Sequence, residues 1–328
     1  APRVGYLGAE FLGVLQLAMY TAMRHSLPAA VERADAEAAS HAEAAAANGE
    51  AAAADARAGA EPGAEPGAEP GAEAEPLQIA QLAAQVRWTA QVEAALSAAA
   101  RGATPPGAPL EAWLHVALHA DLARLEHERH AALAPLQARL RGARTALGRV
   151  RLQAALLGRC NERERTRELR AALGGGEPLG ADGWAWLRQP RAYLEAPGEA
   201  ERAAAPRCML RHGLGCMEHG YEYLGASPRL ALAPSTARCQ LALLAALAAH
   251  TGGVLVGASG VGKTEAARDL GRATGQLVVV VHCSRQLPSS SLGRLIRGAA
   301  GAGAWLLLEE VTSLPEAELL RLAEQAHA

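Results

Sequence analysis

The sequence predicts an α-helical region followed by an incomplete α/β domain built on a parallel sheet. Three observations predict it. Apolar residues recur at helical spacing through most of residues 77–172. After Arg229 the pattern changes to short apolar runs alternating with helical stretches, as strands joined by crossover helices require. Between the first such run, Val254–Val256, and the helical stretch Glu265–Thr274 lies Gly257-Ala258-Ser259-Gly260-Val261-Gly262-Lys263-Thr264, which fits G-x-x-x-x-G-K-[ST].

At 328 residues the chain is long enough for about two domains. A formal net charge of −2 argues against a nucleic-acid surface. Hydrophobic residues make up 50% of the chain, but much of this is alanine and only 3% is aromatic, so helix is favoured over bulky cores. The five cysteines include no C-x-x-C pair, which fits free thiols in a reducing, cytoplasmic setting. Cys208, His212, Cys216 and His219 match no standard zinc spacing. No run is long and apolar enough to span a bilayer, so no membrane partner is expected. The first residue is Ala1, not methionine, so the natural start is expected upstream.

In residues 1–33, Leu12, Leu15, Met19 and Met23 predict a helical segment with one buried face. Residues 34–76 run through alanine and glutamate into a Gly-Ala-Glu-Pro repeat. Proline every fourth residue forbids helix, and little is available to bury, so a disordered acidic insertion is expected. From 77 to 220 a helical region is expected. Leu82, Val86, Val92 and Leu96 mark one face; Leu114, Leu118, Leu122 and Leu125 mark another. Pro135 predicts a break between Leu110–Leu133 and Leu136–Leu157. The mixed Glu/Arg run 159–170 predicts a solvent-facing helix with i,i+4 pairs. The aromatic stretch His219–Gly225 predicts core or interface. From 221 to 328 the α/β pattern holds. Pro234-Ser235-Thr236 starts a helix, Leu277–Val281 and Ala304–Leu308 read as strands buried on both faces, and Ser313–Glu316 has capping-box spacing.

The glycines of 257–264 let backbone N–H groups and the next helix N-terminus wrap a phosphate. Lys263 is the chain's only lysine, among many arginines. A compact ammonium fits a tight loop where a planar guanidinium would not. The strand at 306–308 ends in Glu309-Glu310, placing carboxylates beside the loop where magnesium and an attacking water would lie.

Several separated stretches then resemble one family, the dynein heavy chains. Arg87–Leu96 looks like part of the dynein linker, and Trp184–Tyr193 is similar to that linker's later aromatic motif. Gly220–Leu230 looks like the junction into the first AAA+ module, Gly262–Glu265 with Arg268–Arg272 like its phosphate loop and helix, and His282–Ser284 with Gly303–Trp305 like its later strands.

The resemblance implies a linker at 77–220 and the N-terminal part of an AAA+ ATPase module at 221–328, truncated at Ala328. It implies ATP and Mg²⁺ as cofactors. Gly257, Ala258, Ser259, Gly260, Val261, Gly262, Lys263, Thr264 and Glu265 would hold the phosphates, and Leu230, Leu232 and Thr236 would flank the adenine. Thr264 and Glu309 would bind the metal, and Glu310 would polarise the attacking water. Microtubules, through other parts of a parent chain, and other dynein chains would be the partners, in the cytoskeleton of the cytoplasm or a ciliary or flagellar axoneme.

The departures from the family pattern are specific. Glu309 stands where the family has aspartate, and Val311-Thr312-Ser313 where it has Phe-Asn-Arg. Three readings follow: a motor ATPase segment coupling hydrolysis to linker movement, a nucleotide-binding structural subunit deficient in hydrolysis, or an unrelated phosphate-loop kinase or transferase. The segment alone is expected to have no motor activity and little ATPase.

Overall fold

The computed structural model describes residues 18–36, 39, 76–101, 110–177, 180, 182–196, 206–226 and 229–327. Helix α1 covers 18–36. Then come α2 (Leu77–Arg101), α3 (Leu110–Ala131), α4 (Leu133–Gly142), α5 (Ala146–Gly174) and the short α6 (Trp184–Leu187). An antiparallel sheet follows, in the order β1 (Arg191–Glu195), β2 (Arg207–His212), β3 (Gly215–Glu218). The remainder alternates as α7 (Pro234–Ala248), α8 (Lys263–Thr274), β4 (Val278–His282), α9 (Ser289–Ala302), β5 (Trp305–Glu309) and α10 (Glu316–His327). Strands β4 and β5 pair in parallel, Val278 opposite Trp305 through His282 opposite Glu309.

The predicted helical faces are the ones that pack. Leu82, Val86, Val92 and Leu96 of α2 are buried, as are Leu118, Leu122 and Leu125 of α3. One core joins α2, α3, α5 and α6 around Trp88 and Trp186, whose ring centroids lie 5.6 Å apart. Burying an indole without a partner for its N–H is costly; Trp88 Nε1 donates to Thr166 Oγ1 at 3.1 Å. A second core joins Met23 and Leu27 of α1 to Ile79 and Val86 of α2, Leu210 of β2, and Tyr221. Leu12, Leu15 and the Gly-Ala-Glu-Pro repeat lie outside the described residues.

Several expectations are corrected. Residues 191–218 are not helical: alternating burial along β2 produces a three-stranded sheet that packs on α7. The helix break falls at Ala132 rather than Pro135, because Pro135 sits in the first turn of α4, where no intrahelical N–H is required. A second break, missed in the sequence, falls at 143–145. There Thr145 caps α5, its hydroxyl accepting from the Gly148 N–H at 3.0 Å. The Glu/Arg run of α5 is not all solvated. Glu162 is buried and meets Arg129 of α3 at 2.7 Å and Arg159 at 2.9 Å, so the run ties two helices together. The residues of β4 and β5 are half-buried or exposed rather than covered on both faces. Ser313 does not cap α10; its hydroxyl donates to the Cys283 carbonyl at 2.7 Å.

The junction after β3 is seated on the end of α8. The Gly220 N–H donates to Thr274 O at 2.8 Å and the Glu222 N–H to Gly275 O at 3.0 Å. Gly275 is required there: its φ is +65°, and a Cβ would come within 2.3 Å of the His219 ring. His219 and Tyr221 are buried as expected, whereas Tyr223 is exposed.

Burial holds His212 at a pKa of about 4 and His219 at about 3, with the nearby arginines Arg165 and Arg229 adding to the effect. Both imidazoles are thus neutral in the fold but take up protons below about 6.5 when the chain unfolds. Stability is therefore fully present above the unfolded value and falls as pH drops from there toward the folded values. The loss approaches roughly 1.4 kcal/mol per pH unit per histidine. Urea midpoints at pH 7 and pH 5 are expected to differ accordingly. Equal midpoints would refute the assignment.

Candidate functional site

The site is built where α8 begins. Residues 251–258 run without regular structure, a turn follows at Ser259-Gly260, and α8 opens at Lys263. Gly260 and Gly262 have φ of +79° and +86°, which only glycine adopts without strain. Gly262 is the N-cap of α8, and no side chain caps that helix end. The first-turn N–H groups and the positive end of the helix dipole thus face the loop, an arrangement that suits an anion.

Lys263 Nζ donates to the carbonyls of Gly257 at 2.8 Å and Ala258 at 2.6 Å. The chain's one ammonium therefore sits over the mouth of the loop. Thr264 Oγ1 donates to Glu309 Oε1, bringing the end of β5 against the start of α8. The other carboxylate oxygen, Oε2, lies 2.7 Å from His282 Nδ1 at the end of β4. Glu309 is mostly covered and His282 largely exposed. A hydroxyl and a carboxylate in contact form the hard oxygen set that Mg²⁺ takes, so these residues fit that ion.

Glu310 is exposed and lies in the left-handed region at φ 54°. Its carbonyl accepts from the Ser313 N–H at 2.8 Å, which holds the 3-10 turn Val311–Ser313. Such a backbone costs a non-glycine residue about 1 kcal/mol and is concentrated at functional sites. Glu265 pairs with Arg268 at 3.2 Å on the exposed face of α8.

The structure does not form the predicted strand at Val254–Val256. This stretch has no strand pairing among the described residues, and Val254 and Val256 are 82% and 92% exposed. Apolar β-branched residues predict a strand only where a partner supplies the ladder hydrogen bonds and the cover.

A network missed in the sequence holds residues 229–232 against α8, the helix that follows the loop. Asp269 on α8 is completely buried and receives the Arg229 guanidinium twice, Nε at 2.8 Å and Nη2 at 3.0 Å. It also accepts from the Leu230 N–H at 2.8 Å and from Gln240 Nε2 at 2.9 Å. Burial alone would push the Asp269 carboxyl up; the Arg229 charge and these hydrogen bonds outweigh it and hold the group below the usual carboxylate range. From α5, Asn161 bonds to the backbone of Leu230 and Leu232. Leu230, Leu232 and Thr236 are half-buried; the backbone of Leu230 and Leu232 is tied to α5 and that of Leu230 to α8, whereas Thr236 lies in the first turn of α7. Arg229 and Asp269 fall in two of the stretches that carry the family resemblance, Gly220–Leu230 and Arg268–Arg272, but nothing in the sequence pairs them. Nothing in the spacing pointed to Asn161.

Cys208, His212, Cys216 and His219 form no metal-binding group. Cys208, His212 and His219 are buried and Cys216 is exposed, and no metal-binding group of three His, Cys, Asp or Glu occurs among the described residues. No helix among the described residues is long and apolar enough to cross a membrane.

Residues 219–328 match the family described as the hydrolytic ATP binding site of dynein motor region. The match starts at the junction seated on α8 and takes in the loop, Asp269 and Glu309. The chain carries a dynein heavy chain segment. It is 40% identical to dynein axonemal heavy chain 2 of Mus musculus over 140 residues, 43% of this chain and 3% of that protein. It is 38% identical to dynein axonemal heavy chain 6 of Homo sapiens over 140 residues, again 43% and 3%. Dynein axonemal heavy chain 1 of Rattus norvegicus is 43% identical over 107 residues, 33% of this chain and 2% of that protein. The chain thus spans about 3% of the length of these dyneins. The matched segment is of the ATP-binding type.

Proposed function

We propose that residues 229–310 form the nucleotide site of a dynein-like motor heavy chain, at the first AAA+ module, and that ATP turnover there moves a linker made of residues 77–220. One observation carries this reading: Thr264 at the head of α8 and Glu309 at the end of β5 meet, so the phosphate loop and the acidic strand end share one site. In this reading Lys263 and the N–H groups of 257–265 bind the phosphates. Leu230, Leu232 and Thr236 flank the adenine. Thr264 and Glu309 hold Mg²⁺, which when bound neutralises charge on the phosphates. Glu310 orients and polarises the attacking water. The linker assignment is supported by the contacts that α2 and α5 make with the backbone of 222–232.

The axonemal names of the relatives support a place in a ciliary or flagellar axoneme, with microtubules and other dynein chains as partners of the parent protein. A second reading, nucleotide binding without hydrolysis, is favoured by the Glu309 geometry. Its two oxygens are engaged by Thr264 and His282, and the longer side chain places its carboxylate one methylene further from the strand than aspartate would. Steady-state ATPase of the complete parent chain separates the two. The motor reading expects Glu310→Gln to lower kcat by at least about 100-fold while ATP affinity stays within a few fold. A wild-type parent chain that binds ATP and does not turn it over establishes the second reading. A chain that binds no ATP refutes both.

A further inference from the structure

We propose that Asn161, on α5, is a positioning residue that fixes the base end of the bound nucleotide and makes the site select adenine over guanine. The proposal rests on residues 229–310 being a nucleotide site. Asn161 Nδ2 donates to the Leu230 carbonyl at 2.8 Å, and its Oδ1 accepts from the Leu232 N–H at 3.0 Å. The side chain is buried, at 9% exposure. A carboxamide that pairs with residues i and i+2 grips the chain as a neighbouring strand would, and it turns the backbone groups of the intervening residue, Ala231, to the opposite side.

The same stretch is held from α8. Asp269 takes the Leu230 N–H at 2.8 Å and the Arg229 guanidinium at 2.8 and 3.0 Å. Because Asp269 and Lys263 lie on one helix, the path of 229–232 has a fixed position relative to the phosphate loop. Fixed backbone donors and acceptors are what a site needs to tell two purines apart. Adenine offers a donor beside an acceptor where guanine offers the reverse, and a mismatched edge leaves buried polar groups unpaired. Asn161 is thus the contact through which the helical region sets the base-binding backbone.

A second amide makes the same kind of contact away from this position and serves as the control. Gln78 on α2 donates from Nε2 to the Glu222 carbonyl at 2.8 Å and accepts at Oε1 from the Leu224 N–H at 3.2 Å. It holds the junction upstream of Leu230, where no base contact is assigned.

The test is calorimetric affinity of the full 328-residue chain for ATP, GTP and inorganic tripolyphosphate, each with Mg²⁺. Asn161→Ala is expected to weaken ATP binding by about tenfold, to leave tripolyphosphate within about twofold, and to reduce the ATP-over-GTP preference toward unity. Asn161→Asp keeps the shape and the acceptor but loses the donor; it is expected to reduce the preference in the same way and carries the test if the alanine variant fails to fold. Gln78→Ala is expected to keep the preference. Wild-type preference in both Asn161 variants would overturn the proposal. So would a parallel loss of ATP and tripolyphosphate, which a general packing role produces. A wild-type chain that binds neither ATP nor tripolyphosphate overturns the nucleotide-site reading itself, and the Asn161 proposal with it.

Discussion

Lys263→Ala is expected to lower ATP affinity by at least about 100-fold, or roughly 2.7 kcal/mol. The ammonium sits over the loop carbonyls of Gly257 and Ala258, beside helix N–H groups that no side chain caps. No other lysine exists in the chain to replace it. Lys263→Arg is expected to recover only part of the loss, because a planar fork is wider than the ammonium and cannot occupy the same point. The measurement is isothermal titration with ATP at fixed ionic strength, with thermal unfolding alongside. In the wild type, ATP at 100 times its Kd adds about 2.7 kcal/mol of stability, a gain absent from Lys263→Ala. The unliganded melting points should coincide, since among the described residues the hydrogen bonds of the Lys263 ammonium go to exposed loop carbonyls. Unchanged ATP affinity in the variant would show that residues 257–264 are not the phosphate site.

The sequence made this loop legible because its chemistry is local. Glycine, lysine and threonine at fixed spacing need no distant residue to be recognised. Helical faces were legible for a related reason: Leu118, Leu122 and Leu125 repeat at the period of the helix and are buried together. What was missed depends on partners far along the chain. The sheet of 191–218 rests on register between strands with Met, Cys and Arg residues that carry no clean alternation. Glu162 reads as one of several surface glutamates until Arg129, on another helix, reaches it at 2.7 Å. Val254–Val256 fails in the opposite direction. Its residues have strand propensity, but propensity describes a side chain against a pleated neighbour, and none is paired with it among the described residues. The site divides in the same way. Lys263 and Thr264 were found by motif, whereas Asp269, Gln240 and Asn161 act through bonds to backbone and side chains 26 to 71 residues away.

Asp269→Ala is expected to be the most destabilising single change at the site, by about 3–5 kcal/mol, because it leaves the Arg229 guanidinium covered and uncompensated. Burial and pairing make opposite demands on this carboxyl. Removing it from water favours the neutral acid, yet Arg229 and the donors from Leu230 and Gln240 hold it ionised and its pKa below the ordinary value. The sign follows from that depression. Its contribution is fully present above the unfolded carboxylate value near 3.8 and is lost as pH falls through the lower folded value. The acid loss from His212 and His219 begins at higher pH, below about 6.5, and runs down to folded values of about 4 and 3, so above about 3.8 the histidines act without Asp269 and below it the two effects overlap. Urea unfolding at pH 7 gives the size of the Asp269 effect. Asp269→Leu combined with Arg229→Met is expected to be more stable than Asp269→Ala alone, since it removes both charges rather than one. A drop below about 1 kcal/mol for Asp269→Ala would mean that Arg229 finds water or another acceptor, as an exposed pair does. The same substitution has a second readout. Asp269 also fixes the Leu230 N–H, so a folded Asp269→Ala chain should lose ATP affinity while keeping tripolyphosphate, because the loop at the start of α8 does not depend on that bond. On the proposed reading, stability and base recognition meet in one buried carboxylate, on the helix that begins at Lys263.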